Sequence, residues 1–222
     1  MGENPEMVVN TGAIGVYNLY NSPFLSREEL EKSIDFNLGK RSILVTLHAA
    51  TLGNISLENQ MTELLSALEN PEDTKVIFTS PNNDADPRKA IEMIKEWCRS
   101  HPGRGVYIPS LGRVKFLSAL RCVDAVVGNS SSGIVEVPSA GIPTVDIGVR
   151  QQGRLAAPSV IHCGTSEKEI AKALNQAFSS EMRMLASKRE NPYARPDTLE
   201  LMVNSILSKP LRRFPKKRFH YV

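Results

Sequence analysis

From residue 43 onward, short runs rich in β-branched residues alternate with segments whose apolar side chains recur at helical spacing. The runs predict strands at Ile43–Leu47, Lys75–Thr79, Gly105–Ile108, Ala125–Val127, Thr144–Ile147 and, less distinctly, Val160–His162. Between the first two, Leu57, Met61, Leu64, Leu65 and Leu68 fall on one face of a helix. Similar periodicity predicts helices over Pro87–Ser100, Arg113–Cys122, Ser132–Ala140, Ser166–Ala177 and Leu199–Leu207. Six strands with about as many helices between them describe an α/β domain with a doubly wound, Rossmann-like parallel sheet. Residues 1–40 fit less well. Val8–Val16, with Gly12 and Gly15, reads as extended chain, and Arg27–Ile34 as a short helix. The expected organisation is a lead-in or interdomain segment over 1–40, the sheet domain over 41–195, and a terminal helix with a basic tail over 196–222.

A chain of 222 residues, 41% hydrophobic and 23% charged, can bury a substantial core. No apolar run approaches the roughly 20 residues of a membrane span. The start, Met1-Gly2-Glu3-Asn4-Pro5, lacks the basic and apolar stretches of a secretory signal. A cytoplasmic protein without membrane contact is expected. Cys98, Cys122 and Cys163 lie far apart and the four histidines are scattered, so neither a disulfide framework nor a metal site is indicated. The net charge of +3 comes from the tail: without the six positives of residues 209–222 the rest carries −3. Phe214, Phe219 and Tyr221 alternate with those charges, which favours docking on protein over nucleic acid, so no nucleic-acid partner is expected.

The most informative string is Asp124-Ala-Val-Val-Gly-Asn-Ser-Ser-Ser-Gly-Ile-Val-Glu136. A buried strand ends, serines follow and a helix begins. Backbone N–H groups at a helix start, beside hydroxyl donors at the carboxyl edge of a parallel sheet, make an anion site. The same serines also suit plain helix capping, and the local sequence leaves both open. Glu136, one turn after Ser132, either closes a capping box or accepts two hydrogen bonds from a ribose diol. His48 follows the first strand, where an imidazole suits a leaving phosphate or a proton transfer, although a strand-end histidine is also a common structural residue. Asn82 and Asp84 follow the second strand and by themselves read as turn residues. Arg150 follows the fifth and suits a phosphate. No Gly-x-Gly-x-x-Gly fingerprint follows the first strand, which speaks against NAD, and no cofactor is expected.

Gly128-Asn-Ser-Ser-Ser-Gly-Ile-Val-Glu-Val-Pro-Ser139 and Gly141-Ile-Pro-Thr-Val-Asp-Ile-Gly-Val-Arg-Gln-Gln-Gly-Arg154 resemble the hydrolysing UDP-N-acetylglucosamine 2-epimerases. Val45-Thr-Leu-His48 with Thr51-Leu52, Pro81-Asn-Asn-Asp84, Pro109-Ser-Leu-Gly112 and Asn191-Pro-Tyr193 extend the likeness over nearly the whole chain. The resemblance implies the C-terminal half of a glycosyltransferase-B type two-domain enzyme. It implies that Ser130, Ser131 and Glu136 hold diphosphate and ribose, Arg150 a phosphate, Asn82 the nucleotide, and the main chain near Ile108 the uracil. It places His48 at the family's active-site histidine, near the β-phosphate. The implied reaction removes the C2 proton, eliminates UDP to give a 2-acetamidoglucal, and adds water to yield N-acetylmannosamine. The implied partners are a UDP-sugar substrate and an N-terminal domain carrying the proton-transferring carboxylates, and a homo-oligomer is compatible with the likeness.

Ala49-Ala-Thr-Leu52 is closer to the hydrolysing His-x-x-Thr-Leu pattern than to the His-Arg-Arg-Glu-Asn of non-hydrolysing relatives. Ala194-Arg-Pro-Asp-Thr198 departs from the family's glycine-rich loop. Two other readings stand beside this one: a UDP or UDP-sugar binding module without turnover, and a glycosyltransferase domain of the same fold.

Overall fold

The computed structural model describes residues 5, 8–49, 55–70, 73–82 and 86–208. Within them, β1 (Arg41–Thr46), β2 (Thr74–Phe78), β3 (Gly105–Tyr107), β4 (Ala125–Gly128), β5 (Thr144–Ile147) and β6 (Val160–Cys163) form one parallel sheet. Its order is β3-β2-β1-β4-β5-β6. The chain therefore winds outward from β1 in one direction and from β4 in the other. The crevice between the carboxyl ends of β1 and β4 is the switch point at which sheets of this kind receive ligands.

The alternation of side chains along each strand divides the core in two. Ile43, Val45, Val76, Phe78, Val127, Val145 and Ile147 pack under α3 (Leu57–Ala67), α4 (Arg88–Ser100) and α8 (Glu167–Ala177). Leu44, Ile77 and Val126 face the opposite layer, built from α1 (Ile14–Asn21), α2 (Arg27–Ile34), α5 (Gly112–Cys122) and α7 (Val137–Ala140). Local chemistry sets several helix starts: Ser26 with Glu29 and Ser166 with Glu169 form reciprocal capping boxes, and Ser56 and Ser179 accept from the N–H three residues on.

The expected strand positions recur within a residue or two, and Ile108, just past β3, still donates its N–H to the Phe78 carbonyl at 2.9 Å. Two expectations need correction, and one helix was not among them. Val8–Val16 is not wholly extended, because α1 begins at Ile14 and buries Val16 and Leu19 against the core. The expected helix Ser132–Ala140 is two short ones, α6 (Ser132–Val135) and α7, meeting at Glu136. Pro138 has no N–H to continue the ladder, and the Gly133 carbonyl accepts from Thr144 Oγ1 at 2.6 Å. Helix α9 (Ser180–Ser187), unforeseen in the sequence, buries Met182 and Ala186 one turn apart. The terminal helix, α10 (Thr198–Leu207), lies where periodicity puts it. Thr51, Leu52, Asp84 and the basic tail lie outside the described residues.

Candidate functional site

At the carboxyl edge of the sheet a cavity of about 330 Å³ opens among Thr46, Thr79, Pro109, Arg113, Phe116, Ser130 and Ser132. It is walled by the last residue of β1 and by the segments that follow β2, β3 and β4. Parallel pairing sends all of these to one edge, so residues from four distant parts of the sequence meet there. The Thr46 and Thr79 hydroxyls join across β1 and β2 at 2.6 Å.

Ser130, Ser131 and Ser132 form the turn between β4 and α6. Their main-chain N–H groups donate to no acceptor among the described residues, whereas those of Gly133 and Ile134 close turns onto the Ser130 and Ser131 carbonyls. Ser131, the cap residue of α6, makes no side-chain capping bond. The Ser130 and Ser132 hydroxyls lie 3.0 Å apart. The serines are thus not spent on capping, and three consecutive N–H groups remain as donors. Because α6 has only four residues, the donors of this turn are its N–H groups and hydroxyls, and a helix dipole adds little to them.

Gly128 makes this turn possible. Its φ is 133°, and a β-carbon there would overlap the Thr46 carbonyl of the neighbouring strand. Only glycine allows β4 to leave the sheet so close to β1.

His48 stands across the switch point. Its Nδ1 accepts the Asn82 main-chain N–H at 2.9 Å. An accepting Nδ1 keeps its lone pair, so in the neutral ring the proton sits on Nε2, which is then a donor. Asn82 therefore contributes through its backbone to the orientation of His48. Arg150 is exposed on the segment after β5, with Nη1 on the Asn129 carbonyl at 2.9 Å. Ile108 continues the β3 ladder immediately before Pro109 of the cavity wall.

Glu136 lies at the α6–α7 junction and closes no capping box. Its Oε2 is buried without a hydrogen-bond partner among the described residues. Burial pushes its carboxyl above the ordinary glutamate range, opposed by its own backbone N–H and by Arg154. A buried acceptor in this state needs donors from elsewhere. The departing loop after Tyr193 is tied to the lead-in segment, Arg195 donating to the Asn10 carbonyl at 3.1 Å and pairing with Asp197.

Sequence reasoning missed Arg113, Phe116 and Asn129. Arg113 follows Gly112 of a string already singled out, and Asn129 sits inside the serine string. Their roles depend on strand neighbours that no local pattern reveals. Among the described residues no cluster of histidine, cysteine or carboxylate side chains is arranged to hold a metal ion, and no helix is long and apolar enough to cross a membrane.

The family model described as UDP-N-acetylglucosamine 2-epimerase matches residues 1–207. The chain is 33% identical over 178 residues to GDP/UDP-N,N'-diacetylbacillosamine 2-epimerase (hydrolyzing) of Campylobacter jejuni, covering 80% of this chain and 45% of that protein. It is 31% identical over 200 residues to polysialic acid biosynthesis protein P7 of Escherichia coli, covering 90% and 50%. It spans about half the length of these curated relatives. Its fold matches S. aureus MnaA in a co-structure with UDP, with a TM-score of 0.72 at 20% identity, over 100% of this chain and 59% of that one.

Proposed function

Since the chain belongs to the UDP-N-acetylglucosamine 2-epimerase family, we propose that it is the UDP-gripping half of a hydrolysing 2-epimerase. The observation that carries this reading is the Ser130–Ser132 turn at the β1/β4 switch point, where three consecutive N–H groups donate to no acceptor among the described residues and the Ser130 and Ser132 hydroxyls line the cavity. Such a nest matches the oxygens of a diphosphate. In this reading Ser130 and Ser131 hold the diphosphate, and Arg150 supplies a cation beside it. Glu136 receives the ribose diol, which would satisfy its buried oxygen. Main chain near Ile108 meets the uracil, and Asn82 orients both His48 and the nucleotide.

The chemistry assigned to the complete enzyme has two stages. A base takes the C2 proton, the C1–C2 double bond forms, and the C1–O bond breaks with its electron pair leaving on the β-phosphate. Water then adds across the resulting glucal, its oxygen to C1 and a proton to C2, to give free N-acetylmannosamine or its diacetamido analogue. Charge grows on the departing diphosphate, where preorganised N–H donors and the His48 Nε2–H stabilise it most. No carboxylate of this chain is placed by motif to take the C2 proton. Those groups belong, on this reading, to a preceding domain, and the work is cytoplasmic.

Calorimetric titration of the chain with UDP tests the assignment. Binding is expected, and Ser130→Ala combined with Ser131→Ala should weaken it by roughly 1–3 kcal/mol, the scale of hydrogen bonds to a charged group. Equal affinity in the double variant and the parent would remove the serine turn from the site. The second reading, binding without turnover, applies to these residues alone, because the chain spans about half of its curated relatives. Incubation with UDP-N-acetylglucosamine should then yield no N-acetylmannosamine, and product release at enzymic rates would overturn the division of labour.

A further inference from the structure

Asn129 is 1% exposed and takes no part in the donor set just described. The β1–β4 ladder runs as far as Thr46 opposite Gly128. The Asn129 N–H adds one more bond, to the Thr46 carbonyl at 3.2 Å, and the main chain then turns away into the serines. At that point the side chain takes over. Asn129 Oδ1 accepts the His48 N–H at 2.7 Å, and Asn129 Nδ2 donates to the His48 carbonyl at 2.9 Å. One amide thus offers residue 48 the donor and acceptor that a neighbouring strand would have supplied.

The Asn129 carbonyl is also engaged. It accepts from Arg150 Nη1 at 2.9 Å and from Gln151 Nε2 at 2.7 Å. Gln151 is itself 2% exposed, and its Oε1 accepts from Arg154 Nη1 at 3.0 Å. The segments after β1, β4 and β5 therefore meet on one residue.

We infer that Asn129 is the positioning residue for His48: its side-chain amide fixes the residue-48 main chain so that the imidazole meets the Asn82 N–H through Nδ1 and presents a protonated Nε2. The chemistry of the pairing dictates the residue type. Aspartate would set a carboxylate oxygen against the His48 carbonyl, and alanine would leave both groups of residue 48 without their partners. The consequence for nucleotide affinity rests on the diphosphate reading above, whereas the consequence for the imidazole does not.

The test uses the ¹⁵N-labelled chain, Asn129→Ala, Asn129→Asp and each in a His48→Ala background. In the parent, ring-nitrogen spectra should show His48 as the Nε2–H tautomer. Both variants should turn the His48 signals into a mixture of tautomers while those of His101 and His162 stay unchanged, a pattern that general loosening of the fold does not produce. UDP affinity should fall about tenfold in Asn129→Ala and by less than about twofold once His48 is already alanine, since coupled residues are non-additive. The main-chain carbonyl that holds Arg150 survives the substitution. An unaltered His48 signature in Asn129→Ala would overturn the inference. So would an affinity loss undiminished in the His48→Ala background, or failure of both variants to fold. If the parent does not bind UDP, the nucleotide reading falls, and the ring spectra still decide the role of Asn129.

Discussion

Gly15, in the first turn of α1, lies so close to the Glu136 carboxylate that a β-carbon on it would overlap Oε1. The segment preceding the sheet therefore forms one wall of the place where Glu136 is held. Glu136 sits between this wall and the serine turn, with Oε2 buried and without a partner among the described residues.

Gly15→Ala is expected to displace that carboxylate. Alanine improves helix propensity by about 1 kcal/mol over glycine, so the thermal midpoint of the free chain should change little. With Glu136 as the proposed ribose acceptor, UDP affinity should nevertheless drop by roughly 1 kcal/mol or more. Calorimetry on the variant measures this, and unchanged affinity would place Glu136 outside the nucleotide contacts.

Glu136→Gln should separate stability from binding. Burial raises the folded-state pKa of Glu136, so between the ordinary glutamate pKa and the raised one the native protein holds a proton that the unfolded chain has already released. Stability then falls as pH rises through that window, and the penalty of the buried charge persists at neutral pH. The glutamine variant should melt higher than the parent at pH 7, by an amount on the order of 1 kcal/mol. The gain should vanish below about pH 4.3, where the carboxyl is protonated in both states. UDP affinity should fall in the same variant, because glutamine offers one acceptor oxygen in place of two. Melting curves across pH, beside UDP titrations, check both arms.

Gly128→Ala should be among the most damaging single substitutions in the chain. The added methyl meets the Thr46 carbonyl, a backbone atom that cannot swing away, at a φ of 133° that disfavours any side chain. A loss of at least about 3 kcal/mol is expected, as for other strain at a special backbone position. Denaturant unfolding would show it, and a near-parental midpoint would mean that β4 can leave the sheet by another route.

His48 is expected to act by hydrogen bonding. With Nδ1 on the Asn82 N–H, a neutral ring that gave up its Nε2 proton would become an imidazolate, so donation without transfer is the available role. In an enzyme completed by the first domain, His48→Ala should lower kcat by about 10²-fold. His48→Asn, which retains an N–H donor, should keep part of the rate. A stopped His48→Asn beside a partly active His48→Gln would point to reach rather than donation, and a normal kcat in a folded His48→Ala enzyme would take His48 out of the mechanism.

The strands and the edge on which the site lies were legible in the sequence. β-branched runs such as Ile43–Leu47 and Thr144–Ile147 alternate with helical periods, and a parallel sheet sends every strand-end loop to the same side. That logic alone places His48, Asn82, Ser130 and Arg150 at one edge. The division of labour among them was not legible. Whether the serines cap a helix or face outward depended on Pro138 and Thr144, which break the helix after one turn. The wall that Gly15 builds against Glu136 joins residues 121 positions apart, and the clasp between Asn129 and His48 joins residues 81 apart. Helix α1 itself, only eight residues long, is held by tertiary burial, with Leu19 in the apolar layer of α2, α5 and α7 and Val16 buried beside it in sequence. Local pattern encodes what a segment does with its own backbone and its nearest neighbours along the chain. Which strand ends come to lie side by side, and which polar groups they leave without partners, is settled only when the crossovers have packed β4 against β1.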